Sequence, residues 1–233
     1  MSSDEFKTAE GILLKVIPFQ DYDQILVFFT LEAGLIKVLF RGSRSKRRGL
    51  LGLCMPLTRV EVIYKEKRGE IYIGCDIALL DSYRSLRKNL THLNAACDLL
   101  QILYRSQWVG KPAPLLYALL KSYLEKIPFT ADPQQFTASF RLKVLKHEGV
   151  ASFPLACTDC QIHLEKEAYY SRGEFFCRFH KPGNFWALQE NLPALIFQLT
   201  ECRSCQELMG IEISDGGLKA IERYFQDVIS LIL

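Results

Sequence analysis

Apolar residues in the first eighty or so positions recur in short runs separated by polar turn residues. Ile12 to Pro18, Ile25 to Thr30, Leu35 to Arg41, Leu57 to Tyr64 and Ile71 to Leu79 are each rich in Ile, Val, Leu, Phe or Tyr and bounded by turn residues, the signature of β-strands. Within Leu35 to Arg41, Ile36, Val38 and Phe40 share one face and Lys37 and Arg41 the other. Glu32, Ala33 and Gly34 form a three-residue hairpin turn, with Gly34 supplying a positive φ, and Lys67, Arg68 and Gly69 form a second tight turn. Five short strands joined mostly by hairpins predict a small closed barrel of the OB type. Phe19, Tyr22, Phe28, Phe29, Phe40, Tyr64 and Tyr72 are its aromatic residues. Most are expected to fill the interior, leaving few as stacking platforms.

From Ser82 the period changes to three and four. Leu86, Leu90, Leu93, Cys97, Leu100 and Tyr104 read as one stripe of an amphipathic helix. Pro112 and Pro114 interrupt it, and Leu115 to Ile127 reads as a second helix. A third runs from Asp132-Pro133 to Gly149, with Phe136, Phe140 and Val144 buried and Arg141, Lys143 and Lys146 pointing elsewhere. Leu192 to Leu199 and Leu218 to Leu233 resume helical spacing, with Ser214 and Asp215 as caps. The predicted class is α+β and multi-domain. An N-terminal five-stranded OB-type barrel (1–80) precedes a helical domain (81–155 and 184–233), whose helices form one bundle from which an inserted metal hairpin (156–183) protrudes.

Charge is segregated along this pattern. Arg41, Arg44, Lys46, Arg47 and Arg48 place five cations in eight residues. From Gly34 to Arg68 ten Lys or Arg face two Glu, a balance of +8 in a chain whose net charge is +3. Met1 to Ala33 carries two bases and six acids, and Glu190 to Leu233 three bases and seven acids. A concentrated positive field beside acidic regions suits a polyanion, because each phosphate neutralised releases condensed counterions. Lys37, Arg41, Arg44, Lys46, Arg47, Arg48, Lys65, Lys67 and Arg68 are the candidate nucleic-acid contacts.

The most specific chemical pattern lies further on. Cys157-x2-Cys160 and Cys177-x2-His180 bracket the sixteen residues QIHLEKEAYYSRGEFF, which read as two short strands turning near Arg172 and Gly173. Two such knuckles offer the four N and S ligands of tetrahedral Zn²⁺. Four protein ligands leave no open position, which makes the site structural, and the metal would supply stability that the small insert lacks. His163 could replace His180, but the paired spacing favours His180. Cys202-x2-Cys205 reads as helix-terminal or half-buried thiols, and Cys54, Cys75 and Cys97 as small apolar residues.

Composition narrows the picture further. The chain has 233 residues, 49% of them hydrophobic, enough for a real core. No window approaches the roughly 18 consecutive apolar residues of a membrane span, and MSSDEFKTAEG lacks the regions of a signal peptide. A cytoplasmic chain is expected, in which eight cysteines point to thiols and metal. There is no phosphate loop, dinucleotide fingerprint or HExxH. Asp21 and Asp23 offer two carboxylates for a metal-dependent nuclease, without a clear third ligand.

The order of parts resembles the bacterial recombination mediator family RecO. The resemblance is carried by EGILLKVIPFQDYDQILVFFTLEAGLIKVLFRGSRSKRRGLLGLCMPLTRVEVIY, by FRLKVLKHEGVASFPLACTDC and by FFCRFH. Arg172-Gly173 stands where the family often has paired glycines, and His180 where some members have cysteine. The resemblance implies a non-catalytic protein that binds single- and double-stranded DNA and anneals complementary strands. With RecR it would help load RecA on DNA coated by single-strand-binding protein (SSB). It further implies RecF as a partner, association with the nucleoid, and a grip on the acidic SSB tail, for which Arg141 matches the corresponding arginine. With no coiled-coil seam or large exposed apolar stretch, the free chain is expected to be a monomer, and no membrane partner is expected. A metal-dependent nuclease and a zinc-stabilised adaptor that binds only protein are the competing readings.

Overall fold

The computed structural model describes residues 6–45, 52–151, 153 and 155–232. Lys46, Arg47 and Arg48 lie outside them. The described chain forms two compact units, 1–128 and 129–233.

The first unit is built on strands β1 (Phe6–Phe19), β2 (Asp23–Thr30), β3 (Gly34–Phe40), β4 (Arg59–Lys65) and β5 (Ile71–Asp81). They close into a barrel in the order β1-β2-β3-β5-β4, with β3 and β5 parallel and the other pairs antiparallel. β1 makes closure possible because it is long enough to serve two neighbours. Phe6–Ile12 pair with β4, Gly11–Phe19 pair with β2, and a register shift between Leu13 and Lys15 lets the strand bend between them. Leu13, Leu26, Phe28, Ile36, Val38, Phe40, Val60, Val62 and Tyr64 fill the interior. Gly74 lacks the Cβ that would stand 2.5 Å from the Phe40 ring. The OB-type barrel and its turns follow the sequence reading, including Gly34 at φ +65° and Gly69 at φ +109°.

Helices α1 (Leu90–Ser106) and α2 (Pro114–Lys126) belong to this unit, α1 packing on β1 and α2 on β2. Their cover explains why Ile25–Phe29 is apolar at every position. Leu26 and Phe28 face the interior, while Val27 and Phe29 are also buried, Phe29 with its ring 6.3 Å from that of Tyr117 on α2. The predicted stripe of α1 is corrected. Its buried residues are Ala95, Ala96, Leu99, Leu100, Ile102, Leu103 and Ser106, whereas Leu90 and Cys97 are exposed. Asn89 caps the helix by accepting from Thr91 N and His92 N, so Leu86 sits in a separate 3-10 turn, out of phase with α1.

In the second unit α3 (Gln134–His147) packs against α4 (Leu192–Glu201), α5 (Cys205–Met209) and α6 (Asp215–Ile232). The helices thus divide between two units, whereas the sequence reading grouped them in one bundle. Phe136, Phe140 and Val144 are buried as expected, but Gln135, Thr137, Ala138, Ser139, Leu142 and Leu145 are buried as well. A helix enclosed on several sides loses the amphipathic contrast that its sequence suggested.

The metal hairpin comprises β6 (Tyr169–Ser171) and β7 (Glu174–Phe176), joined on the far side of β6 by β8 (Trp186–Ala187). It does not protrude freely. Tyr170 and Phe175 lie with ring centroids 5.4 and 5.0 Å from Tyr224 of α6. This aromatic cluster gives the hairpin an apolar anchor that its polar sequence hid.

Candidate metal centre and nucleic-acid interface

Cys157 and Cys160 sit on a turn closed by Gln161 N donating to Cys157 O at 2.9 Å, and Cys177 and His180 on one closed by His180 N donating to Cys177 O at 3.2 Å. Gln161 takes φ +58°, which lets the chain reverse after Cys160. The two knuckles are tied together by Thr158 N, which donates to Phe175 O at 2.8 Å. All four ligand atoms lie within 4.8 Å of one another. His180 Nδ1 is 3.3 Å from Cys177 Sγ and 3.7 Å from Cys157 Sγ, and Cys160 Sγ is 4.0 Å from Cys177 Sγ. A tetrahedral zinc site has ligand-to-ligand edges of about 3.5–3.8 Å, from bonds of about 2.3 Å to S and 2.0 Å to N. The cluster therefore has the donors and dimensions of a metal site.

Its electrostatics agree. Burial pushes the Cys157 thiol up, but N–H groups of Cys160, Cys177 and Asp159 outweigh that and bring it to about 6. Cys177 is also lowered: burial again opposes, and the N–H groups of Phe179 and His180 prevail. Cys160 receives help from the Ile162 N–H, yet burial and the neighbouring Cys157 and Cys177 sulfurs raise it. Sulfurs that crowd one another in this way are relieved by a shared cation. Among the described residues this is the one group of three or more His, Cys, Asp or Glu with metal-holding geometry, and His163, Asp21 and Asp23 are not in it. Asp23 accepts from Gly42 N at 2.8 Å. Cys202 and Cys205 are half-buried at the end of α4 and the start of α5.

The described candidate cations are ordered by β3. Ile36, Val38 and Phe40 point into the barrel, so Lys37 and Leu39 line its outside, with the exposed Arg41 in the turn just past its end. Lys37 pairs with Ile71, just after the β4–β5 turn that carries Lys67 and Arg68, both exposed. At the other end, Phe40 pairs with Gln24, just after the β1–β2 turn. There Arg44 N donates to Tyr22 O at 3.1 Å and its guanidinium to Asp21 O at 3.3 Å. The outside of β3 is thus a basic strip running from one turn to the other. Tyr22, 64% exposed, stands at one end, while Phe28, Phe29, Phe40 and Tyr64 are buried.

Besides Arg44, Lys37 and Lys65 are engaged within the fold. Lys37 Nζ is 2.7 Å from Glu70, whose carboxyl is held below its ordinary range by that hydrogen bond. Lys65 Nζ lies 4.4 Å from the Phe6 ring centroid. The sequence reading missed Glu70 as a counter-charge. Its signal was the carboxylate directly after Gly69, at a turn whose register returns it to β3.

Arg141 is not a surface residue of α3. Its side chain is 11% exposed, and its guanidinium lies 3.4 Å from Glu222 of α6. Lys143 donates to Cys202 O at 2.6 Å, and Lys146 pairs with Glu201. No helix among the described residues is long and apolar enough to cross a membrane.

A closed OB-type barrel followed by a helical unit carrying a Cys3His knuckle hairpin is the class that this fold and site define. The family model for the recombination protein O N-terminal region matches residues 1–83, and that for the C-terminal region matches residues 84–229. The chain belongs to the RecO family. It is 26% identical over 204 residues to the DNA repair protein RecO of Chlamydia muridarum, covering 85% of each chain. The protein of the same name from Exiguobacterium sibiricum is 25% identical over 175 residues, 74% of this chain and 70% of the relative. That of Geobacter metallireducens is 28% identical over 170 residues, 70% and 67% of the two chains.

Proposed function

We propose that this protein is a non-catalytic DNA repair factor of homologous recombination. It binds single- and double-stranded DNA through the outside of β3, anneals complementary strands, and with RecR helps load RecA on SSB-coated DNA. The observation that carries this reading is the basic strip of Lys37, Arg41, Arg44, Lys67 and Arg68 between two turns of an OB-type barrel. An OB barrel presents this surface and its flanking loops to oligonucleotides. Cations there screen the repulsion of two strands without reading bases. Lys65 and the run Lys46, Arg47 and Arg48 extend the charge.

Zn²⁺ on Cys157, Cys160, Cys177 and His180 is structural, and Arg141 with its neighbours receives the SSB tail. Binding there requires the tail carboxylate to compete with Glu222 for the guanidinium, a bidentate partner for an exposed one. RecF and RecR are the further partners of a chain that is monomeric when free and acts at the nucleoid.

The test is the salt dependence of binding to a labelled single strand, with annealing followed in the same samples without ATP. If five cations contact phosphate, log K falls by about 3 to 4 units per decade of salt. A flat slope without annealing would leave the protein-only adaptor as the reading. Shortening of the strand on Mg²⁺ addition would restore the nuclease.

A further inference from the structure

The edge of β3 that pairs with β5 is open at its start, because that pairing covers only Lys37–Leu39. The connection between α1 and α2 fills this gap. Val109 forms a parallel bridge with Leu35, and Gly110 N donates to Leu35 O at 2.8 Å. Gly34 makes room beneath the connection, for a Cβ there would stand 1.9 Å from Lys111 O. The backbone on either side of Val109 is therefore fixed against the barrel. Immediately before it comes Trp108, 53% exposed and flanked by the exposed Arg105 and Lys111.

A large aromatic ring kept in water on a fixed backbone, beside cations, has the chemistry of a single-strand contact. Its backbone adjoins the same strand as the strip already described. Leu35 and Lys37 are alternate residues of one strand, so the Val109 bridge and the β4–β5 turn abut the same edge of β3. Tyr22 lies beyond the other end. The seven residues of β3 span on the order of 20 Å at about 3.3 Å each, room for about four nucleotides, near the low end of site sizes for one OB barrel.

We propose that Trp108 is a base-stacking platform at the Gly34 end of the strip, so that single-stranded nucleic acid runs along the outside of β3 between Tyr22 and Trp108. This rests on the DNA-binding reading above, and its test separates the two. The chain contains two tryptophans, Trp108 and Trp186. In the full-length protein, W186F leaves Trp108 as the sole indole emitter, and W108F leaves Trp186. Each is titrated with a short oligothymidylate at low salt while anisotropy of a labelled oligothymidylate reports binding independently. Trp108 emission is expected to be quenched on binding and Trp186 emission to change little. W108A is expected to weaken binding by about 5- to 100-fold, the cost of one lost stacked base, with W108F restoring most of it and thermal melting unchanged. Normal anisotropy with unquenched Trp108 and full affinity in W108A would overturn the stacking role and leave DNA binding standing. Absence of binding by anisotropy at low salt would overturn both.

Discussion

Glu10 and Tyr117, 107 positions apart, share a hydrogen bond of 2.9 Å in which the phenol donates to the carboxylate. The same oxygen accepts from Arg59 at 2.9 Å and lies 3.9 Å from Lys121 Nζ. One carboxylate therefore links β1 and β4 to α2. Burial acts to raise its pKa, but Arg59, Tyr117 and Lys121 prevail and hold it below the ordinary value of 4.5. A lowered carboxylate contributes stability that is present above its unfolded pKa and is lost as pH falls through its folded pKa. Glu10→Gln is expected to cost about 1–2 kcal/mol near neutral pH, allowing for solvent screening of the partly exposed group. Chemical denaturation should show the gap between the two proteins closing as pH falls below the ordinary carboxylate value of 4.5; a constant gap would mean that the charge is not what matters.

The turn between β6 and β7 has two residues, Arg172 at φ +51° and Gly173 at φ +90°. Both angles are positive, the arrangement of a type I′ hairpin, which favours Gly or Asn at both positions. Arg172 is strained there by about 1 kcal/mol. Arg172→Gly should raise the melting temperature of the unit formed by residues 129–233, with Arg172→Asn close behind. No gain from either would place the strain elsewhere.

Removing metal from the knuckles should lower stability, because sulfurs and imidazole held 3.3–4.0 Å apart lose the cation that reconciles them. Elemental analysis is expected to give one zinc per chain and none in Cys177→Ala. Chelation should shift the thermal transition downward, by less than complete unfolding, since Tyr170, Phe175 and Tyr224 still pack. A chain without zinc and indifferent to chelator would refute the structural metal.

Glu70 competes with phosphate for Lys37. Glu70→Gln should tighten single-strand binding several-fold at low salt and steepen the salt slope by about 0.7, the contribution of one further phosphate contact. Equal affinity in the two proteins would take Lys37 off the binding path.

Much of this was legible in the chain. Short runs rich in Ile, Val, Phe and Tyr between turn residues announced the barrel strands, and in β3 the period of two also announced its inner face, because side chains alternate about a strand. Gly34 and Gly69 announced turns because positive φ is a local demand that glycine meets without steric cost. The four members of the Cys3His cluster were readable from spacing, since a two-residue gap can turn both side chains of a knuckle toward one point. Arg141 was legible as a cation but not as a half-buried one, because its enclosure depends on α6, some eighty residues away.

The sequence by itself determined where strands, turns, the basic run and the candidate metal ligands lie, since each depends on neighbours within a few residues. Tertiary structure decided which faces are covered. It placed α1 and α2 on the outside of β1 and β2 and buried Val27 and Phe29 as deeply as Leu26 and Phe28. It exposed Cys97, paired Lys37 with Glu70 and set Val109 against the open edge of β3. None of these can be read from periodicity, because an apolar or charged residue shows only what it needs, and the partner that meets the need is brought to it by the closing of the fold.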